Sequence, residues 1–224
     1  MKKYIPNFLT ICNLLCGCFA VKSAFSTDYD FALIFVLAAA VFDFLDGFAA
    51  RLLKAYSPIG KDLDSLADMI SFGLTPAVIA CTLLSDNFLG FLTASGLLIA
   101  AFSALRLAKF NIDDRQTSSF LGLAVPANAI FWTGLANSYS QQLADLPIVT
   151  ILLIVISCFL LVCNLPMFSL KFKHFGWKNN KFQFILIICS AILLIILQQD
   201  AFVWIIILYV ILSVIKNILK KNTV

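Results

Sequence analysis

Apolar residues run through this chain in long stretches separated by short polar connectors, and the stretches have the length of bilayer crossings. Residues 8–25, 31–51, 65–84, 88–107, 120–136, 146–165, 182–197 and 202–215 each form such a run. A helix needs about 20 apolar residues to cross the hydrocarbon core, and in lipid the helix satisfies its own backbone hydrogen bonds. The pattern predicts an all-α fold: a polytopic membrane helix bundle of about eight transmembrane helices. The connectors are short and show no linker, repeat or low-complexity segment, so residues 1–224 read as one integral-membrane domain. Charge inside the runs and most polar residues belong to the first six. These predict a six-helix core over about 1–175, followed by two Leu-, Ile- and Phe-rich helices over about 180–218 with a structural or lipid-facing role.

Charge fixes the orientation of this pattern. The connectors at 27–30, 85–87, 137–145 and 198–200 carry no Lys or Arg. Every basic residue except Lys22 falls on the other side: Lys2, Lys3, Arg51, Lys54, Lys61, Arg106, Lys109, Arg115, then the cluster from Lys171 to Lys181, then Lys216, Lys220 and Lys221. By the positive-inside rule both termini are cytoplasmic, and so is the loop between the second and third runs. The expectation is a multi-pass protein of the cytoplasmic (inner) membrane. Composition agrees: 62% hydrophobic, 12% charged, and a mean hydropathy of +0.99 exclude an ordinary soluble domain. The net charge of +4 is the residue of this topology rather than a nucleic-acid footprint. The seven cysteines lie inside predicted spans as small apolar side chains. Lys2 and Lys3 before an apolar run look like a signal peptide, but Asn7, Thr10 and Asn13 interrupt the run, which reads instead as the first span.

Four aspartates supply the candidate chemistry. Asp43 and Asp46 end the second run, and Asp64 and Asp68 open the third. Spacings of three and four residues place each pair on one helix face, so two helices joined by a short loop present four carboxylates to each other. An ionised Asp in a membrane helix costs roughly 2.5–3.5 kcal/mol at the centre, and like charges add repulsion. A bound cation relieves both, and carboxylate oxygens suit a hard divalent ion of the magnesium or manganese type. On the same faces, Gly47 and Ala50 remove bulk so that a nucleotide or a neighbouring helix can approach the backbone. Arg51, one turn beyond Gly47, is placed to fork onto a phosphate. Ser57 and Pro58 are expected to break the helix, with Gly60 permitting the turn into the third span. Asp62, outside these faces, reads as an interfacial or loop charge. Connectors at 109–119 and 171–181 lie on the aspartate side, placed to wall in a site.

Written as a pattern, Asp43, Asp46, Gly47, Ala50, Arg51, Gly60, Asp64 and Asp68 form D-x-x-D-G-x-x-A-R-x(8)-G-x-x-x-D-x-x-x-D. This resembles the signature of the CDP-alcohol phosphatidyltransferase family at every position. The segments at 5–17, 104–113 and 120–129, and more weakly 165–172, resemble those that mark the phosphatidylserine synthase branch.

The resemblance implies a transferase that moves the phosphatidyl group of CDP-diacylglycerol to L-serine, releasing CMP. It implies two divalent ions, Mg2+ or Mn2+, held by Asp43, Asp46 and Asp64 with Asp68 completing the site, and Asp68 as the base that takes the acceptor's proton. Nucleotide contacts would come from Asn7, Thr10, Gly47, Arg51 and Ser57, and the family is expected to form homodimers. The serine carboxylate calls for a cation, and Arg106, Lys109 and Lys171 are the candidates. Within the same chemistry the alternative acceptor is glycerol 3-phosphate or an inositol phosphate, which would want a denser basic cluster. A divalent-cation transporter would place acids near the midplane with polar residues continuing to the far side. Here the acids gather at one rim.

Overall fold

The computed structural model describes residues 4–84, 90–112, 119–168, 176 and 180–221. Its helices are α1 (Ile5–Phe25), α2 (Tyr29–Leu52), α3 (Pro58–Leu84), α4 (Gly90–Ile112), α5 (Val125–Asp145), α6 (Pro147–Val162), α7 (Lys181–Leu197) and α8 (Ala201–Lys221). Prolines stand in the first turn of α1, α3, α5 and α6, where a missing N–H costs nothing. Asp28 caps α2 by accepting from the Phe31 N–H at 3.4 Å. α1, α2, α3, α4 and the combined run Lys181–Leu219 are long and apolar enough to cross a membrane, and α6 is a shorter apolar helix. Large side chains such as Phe8, Phe44, Phe91, Ile148, Phe159 and Ile195 are exposed, as expected where lipid rather than water is the solvent.

Successive helices run up and down, which gives the bundle two distinct rims. At one rim the Tyr29 hydroxyl pairs with Thr82 at 3.1 Å, and Asn137 Nδ2 donates to Asp30 Oδ1 at 2.6 Å. At the other, α1, the end of α2, the start of α3 and the end of α4 converge on the aspartates. Between the rims lies an apolar core centred on Trp132, Ile79, Ile99 and Ile154, with Trp132 Nε1 donating to Ser157 Oγ at 2.9 Å.

Several boundaries differ from the sequence expectation. The third helix begins at Pro58, not 65, because Ser57 caps it: its Oγ accepts the Gly60 N–H at 3.1 Å. Ser57 and Pro58 thus start a helix, and Gly60 lies inside its first turn; the chain reverses earlier, where Lys54 takes φ 51°. Asp62 accordingly sits on α3 as an exposed residue. The fifth helix starts at Val125 rather than 120, since Ser119–Leu121 (β1) pairs antiparallel with Pro166–Phe168 (β2). It also runs through 137–145, expected as a connector, with a kink at Tyr139 (φ −133°, ψ 22°).

The C-terminal helices fold back on each other. A single-turn 3-10 step at Gln198–Asp200, entered at Gln198 with φ 48° and ψ −115°, reverses the chain. Lys216 Nζ then lies 5.9 Å from the Phe182 ring, whereas one straight helix would separate them by about 50 Å. This hairpin also packs on the rest of the bundle. The Tyr209 hydroxyl donates to the Phe168 carbonyl at 2.9 Å, and a Cβ on Gly134 would meet Phe202 Cβ at 3.1 Å.

Candidate active site

The last turns of α2 and the first turns of α3 meet at one rim. Asp43, Asp64 and Asp68 there each offer a carboxylate oxygen within 4.8 Å of the others. Asp46 stands outside this trio: its Oδ2 accepts from Thr10 Oγ1 at 2.6 Å, a short charge-assisted bond to α1. Asp68 Oδ1 accepts from Asn13 Nδ2 at 3.1 Å, also from α1. Asp46 and Asp68 are buried, and Asp43 and Asp64 half-buried.

Charge balance around these groups is one-sided. Arg51 Nε donates to the Gly47 carbonyl at 3.0 Å and Lys61 Nζ to the Asn111 carbonyl at 2.9 Å, so both rim cations bond main chain. Arg106 comes within electrostatic reach of Asp68 from α4. Asp64 Oδ1 is buried without a hydrogen-bond partner among the described residues. Three clustered carboxylates with an orphaned acceptor fit a hard divalent cation, whose oxygen ligands would be Asp43, Asp64 and Asp68.

Beside the carboxylates opens a cleft of about 270 Å³. Asn7, Thr10, Asp46, Gly47, Ser57 and Asp64 line it, bringing together four of the five expected nucleotide contacts with two of the aspartates. Among the described residues a Cβ added to Gly47 would meet nothing within 4 Å, so this glycine widens the cleft rather than admitting a helix. Gly60 has a different duty: a Cβ there would stand 2.9 Å from Ser57 Oγ and 3.0 Å from Asn7 Oδ1. Arg51 is the exception among the expected contacts. It is exposed and folded back along α2, not lining the cleft.

The three expected carboxylate-binding cations separate. Arg106 is buried, its Nε donating to the Leu123 carbonyl at 2.7 Å and its guanidinium 5.7 Å from the centre of the Phe110 ring. Lys109 is exposed on the same helix, and Lys171 lies outside the described residues. Most of the two basic connectors also lies outside them. Three contributors carry no site role in the sequence reading: Asn13, Tyr56 and Lys61, with Asn13 there only an interruption of the first span. The signal was present: Asn7, Thr10, Asn13 and Gly17 follow one another at steps of three, three and four, a single face of α1. Tyr56 and Lys61, which also line the cleft, carried no periodic signal.

The sequence profile of the CDP-alcohol phosphatidyltransferase family matches residues 3–215. The chain belongs to this family. It is a family of transferases. Among curated relatives, the chain is 34% identical over 174 residues to a CDP-diacylglycerol–serine O-phosphatidyltransferase of Bacillus subtilis, covering 77% of this chain and 91% of that one. It is 32% identical over 192 residues to the Helicobacter pylori protein of the same name, covering 84% and 80% of the two chains. The Methanocaldococcus jannaschii protein of that name is 36% identical over 139 residues, 60% of this chain and 63% of its own.

Proposed function

We propose that this chain transfers the phosphatidyl group of CDP-diacylglycerol to L-serine, giving phosphatidylserine and CMP, as a single membrane-embedded domain. The observation that carries the reading is the carboxylate cluster of Asp43, Asp64 and Asp68 opening beside a cleft that Asp46 and Asp64 line. Relatives bearing the serine transferase name supply the acceptor.

The aspartates would hold two divalent ions, Mg2+ or Mn2+, which when bound neutralise the pyrophosphate and the departing CMP. Thr10 fixes Asp46 toward the cleft, where Asn7, Ser57 and the bare Gly47 backbone receive the nucleotide. Arg51 swings from its own helix to reach a phosphate. Asp68 takes the proton of the serine hydroxyl as its oxygen attacks phosphorus and the bond to the CMP oxygen breaks. Arg106, beside Asp68, receives the serine carboxylate, with Lys109 and Lys171 at the same rim. That rim faces the cytoplasm, and the eight helices each cross the inner membrane with both termini inside. Segregation of Lys and Arg supports this orientation.

The test is CMP release by purified protein in detergent with CDP-diacylglycerol and Mg2+ or Mn2+, across serine, glycerol 3-phosphate and inositol phosphate. Serine-dependent release that chelator abolishes is the expected result. Release with only a phosphorylated acceptor would overturn the serine reading.

A further inference from the structure

We propose that Asn13 is a positioning residue for Asp68, held in place by a contact between α1 and α3 at Gly17 and Ser71; this rests on the reading of Asp68 as the base. Asn13 is fully buried, and its Nδ2 donates to Asp68 Oδ1 at 3.1 Å. Its own Oδ1 has no partner among the described residues, so the amide is oriented through that single donated bond and through its backbone. The backbone is clamped. Ser71 Oγ, also fully buried, donates to the Asn13 carbonyl at 3.0 Å.

The clamp depends on close approach. A Cβ on Gly17 would stand 2.2 Å from Ser71 Oγ and 2.7 Å from Ser71 Cα, so only glycine lets the helices meet here. Ser71 lies in a π-helical turn, Met69–Leu74, that follows Asp68 directly. Such wide turns recur at functional sites. The bonded pair and the clamp are therefore three residues apart on α3 and fix the carboxylate relative to α1.

With the Asn13 N–H in place, one carboxylate oxygen of Asp68 is committed to α1 and the other is left for the carboxylate cluster and the acceptor. Without it, the carboxylate loses its side-chain tie to α1. Asn13 is absent from the cleft lining that includes Asn7 and Thr10. Its loss should therefore slow turnover and spare CDP-lipid binding.

The experiment compares Asn13→Ala, Asn13→Asp and Ser71→Ala with the parent by steady-state CMP release and thermal unfolding. Serine-dependent release by the parent tests the functional reading separately; should another alcohol prove the acceptor, the variants are compared with that alcohol. A hydrogen bond to a charged group corresponds to about ten- to a hundredfold, so kcat of both Asn13 variants should fall by that factor. KM for CDP-diacylglycerol should stay within about twofold, and Ser71→Ala should lower kcat in the same direction by less. Unchanged kcat in Asn13→Ala, or a rise in the CDP-lipid KM that accounts for the whole loss, would overturn the proposal. If Asn13→Ala does not fold, Ser71→Ala decides: a lower kcat at unchanged KM supports the clamp, and parental kcat refutes it.

Discussion

Thr10 Oγ1 donates to Asp46 Oδ2 at 2.6 Å, tying to α1 the one signature aspartate outside the converging trio. Asp46 thereby faces the cleft, while Asp64 belongs to both groups, lining the cleft and joining the carboxylate cluster. The two helices thus present one continuous acidic surface from nucleotide cleft to cation cluster. Thr10→Val removes the donor and keeps the shape. The CDP-diacylglycerol KM should rise about tenfold, the low end for a bond to a charged group, in saturation curves at fixed serine.

Asp68 and Asp43 should separate by kinetics. Asp68→Asn keeps the side-chain volume and loses the base, so turnover should fall about 10²- to 10⁴-fold with CDP-lipid binding largely intact. Asp43→Asn should weaken both binding and turnover. More than about a tenth of the parental rate in Asp68→Asn would exclude general-base catalysis by that residue.

Two glycines predict opposite outcomes for the same substitution. Gly47→Ala points a methyl into open cleft, so the melting temperature should hold or rise, with up to about 1 kcal/mol gained in helix propensity. The CDP-lipid KM should rise. Gly17→Ala drives a methyl into Ser71, and overpacking of about 1–3 kcal/mol should lower the melting temperature. Differential scanning in one detergent compares the pair.

Arg106 tests acceptor recognition. Arg106→Lys keeps a charge and loses the planar fork together with the Nε bond to Leu123, so the serine KM should rise at unchanged CDP-lipid KM. Arg106→Ala should cost more, about 1.5–3 kcal/mol if the carboxylate bond is charge-assisted. Serine saturation curves unaffected in both variants would move the carboxylate partner to Lys109 or Lys171.

Orientation is tested by labelling single cysteines in a cysteine-free background. Cysteines at Gln141 and Gln199, both on exposed positions of the rim opposite the aspartates, should react with an impermeant thiol reagent added outside. One at Lys54 should not. Its external labelling would place the aspartates outside the cell.

The sequence by itself determined the helices and the acidic faces. Apolar length alone marks a bilayer crossing, and spacings of three and four put Asp43 with Asp46 and Asp64 with Asp68, because both signals are properties of one helix. The same holds for the family signature, which is a fixed spacing along the chain. Where a polar group finds its partner is a property of two helices, and only the tertiary structure decided it. Periodicity placed Asn13 on a face of α1, but its bond to Asp68, 55 residues away, exists because Gly17 lets α1 close on Ser71. Ser57 and Pro58 carry the residues of a break and of a start alike; the Ser57 Oγ bond to the Gly60 N–H made them a start. Arg106 stands in the sequence beside Lys109 as a candidate for the same carboxylate, and only the structure buries it against Leu123, since burial depends on what packs over a residue and not on its neighbours in the chain.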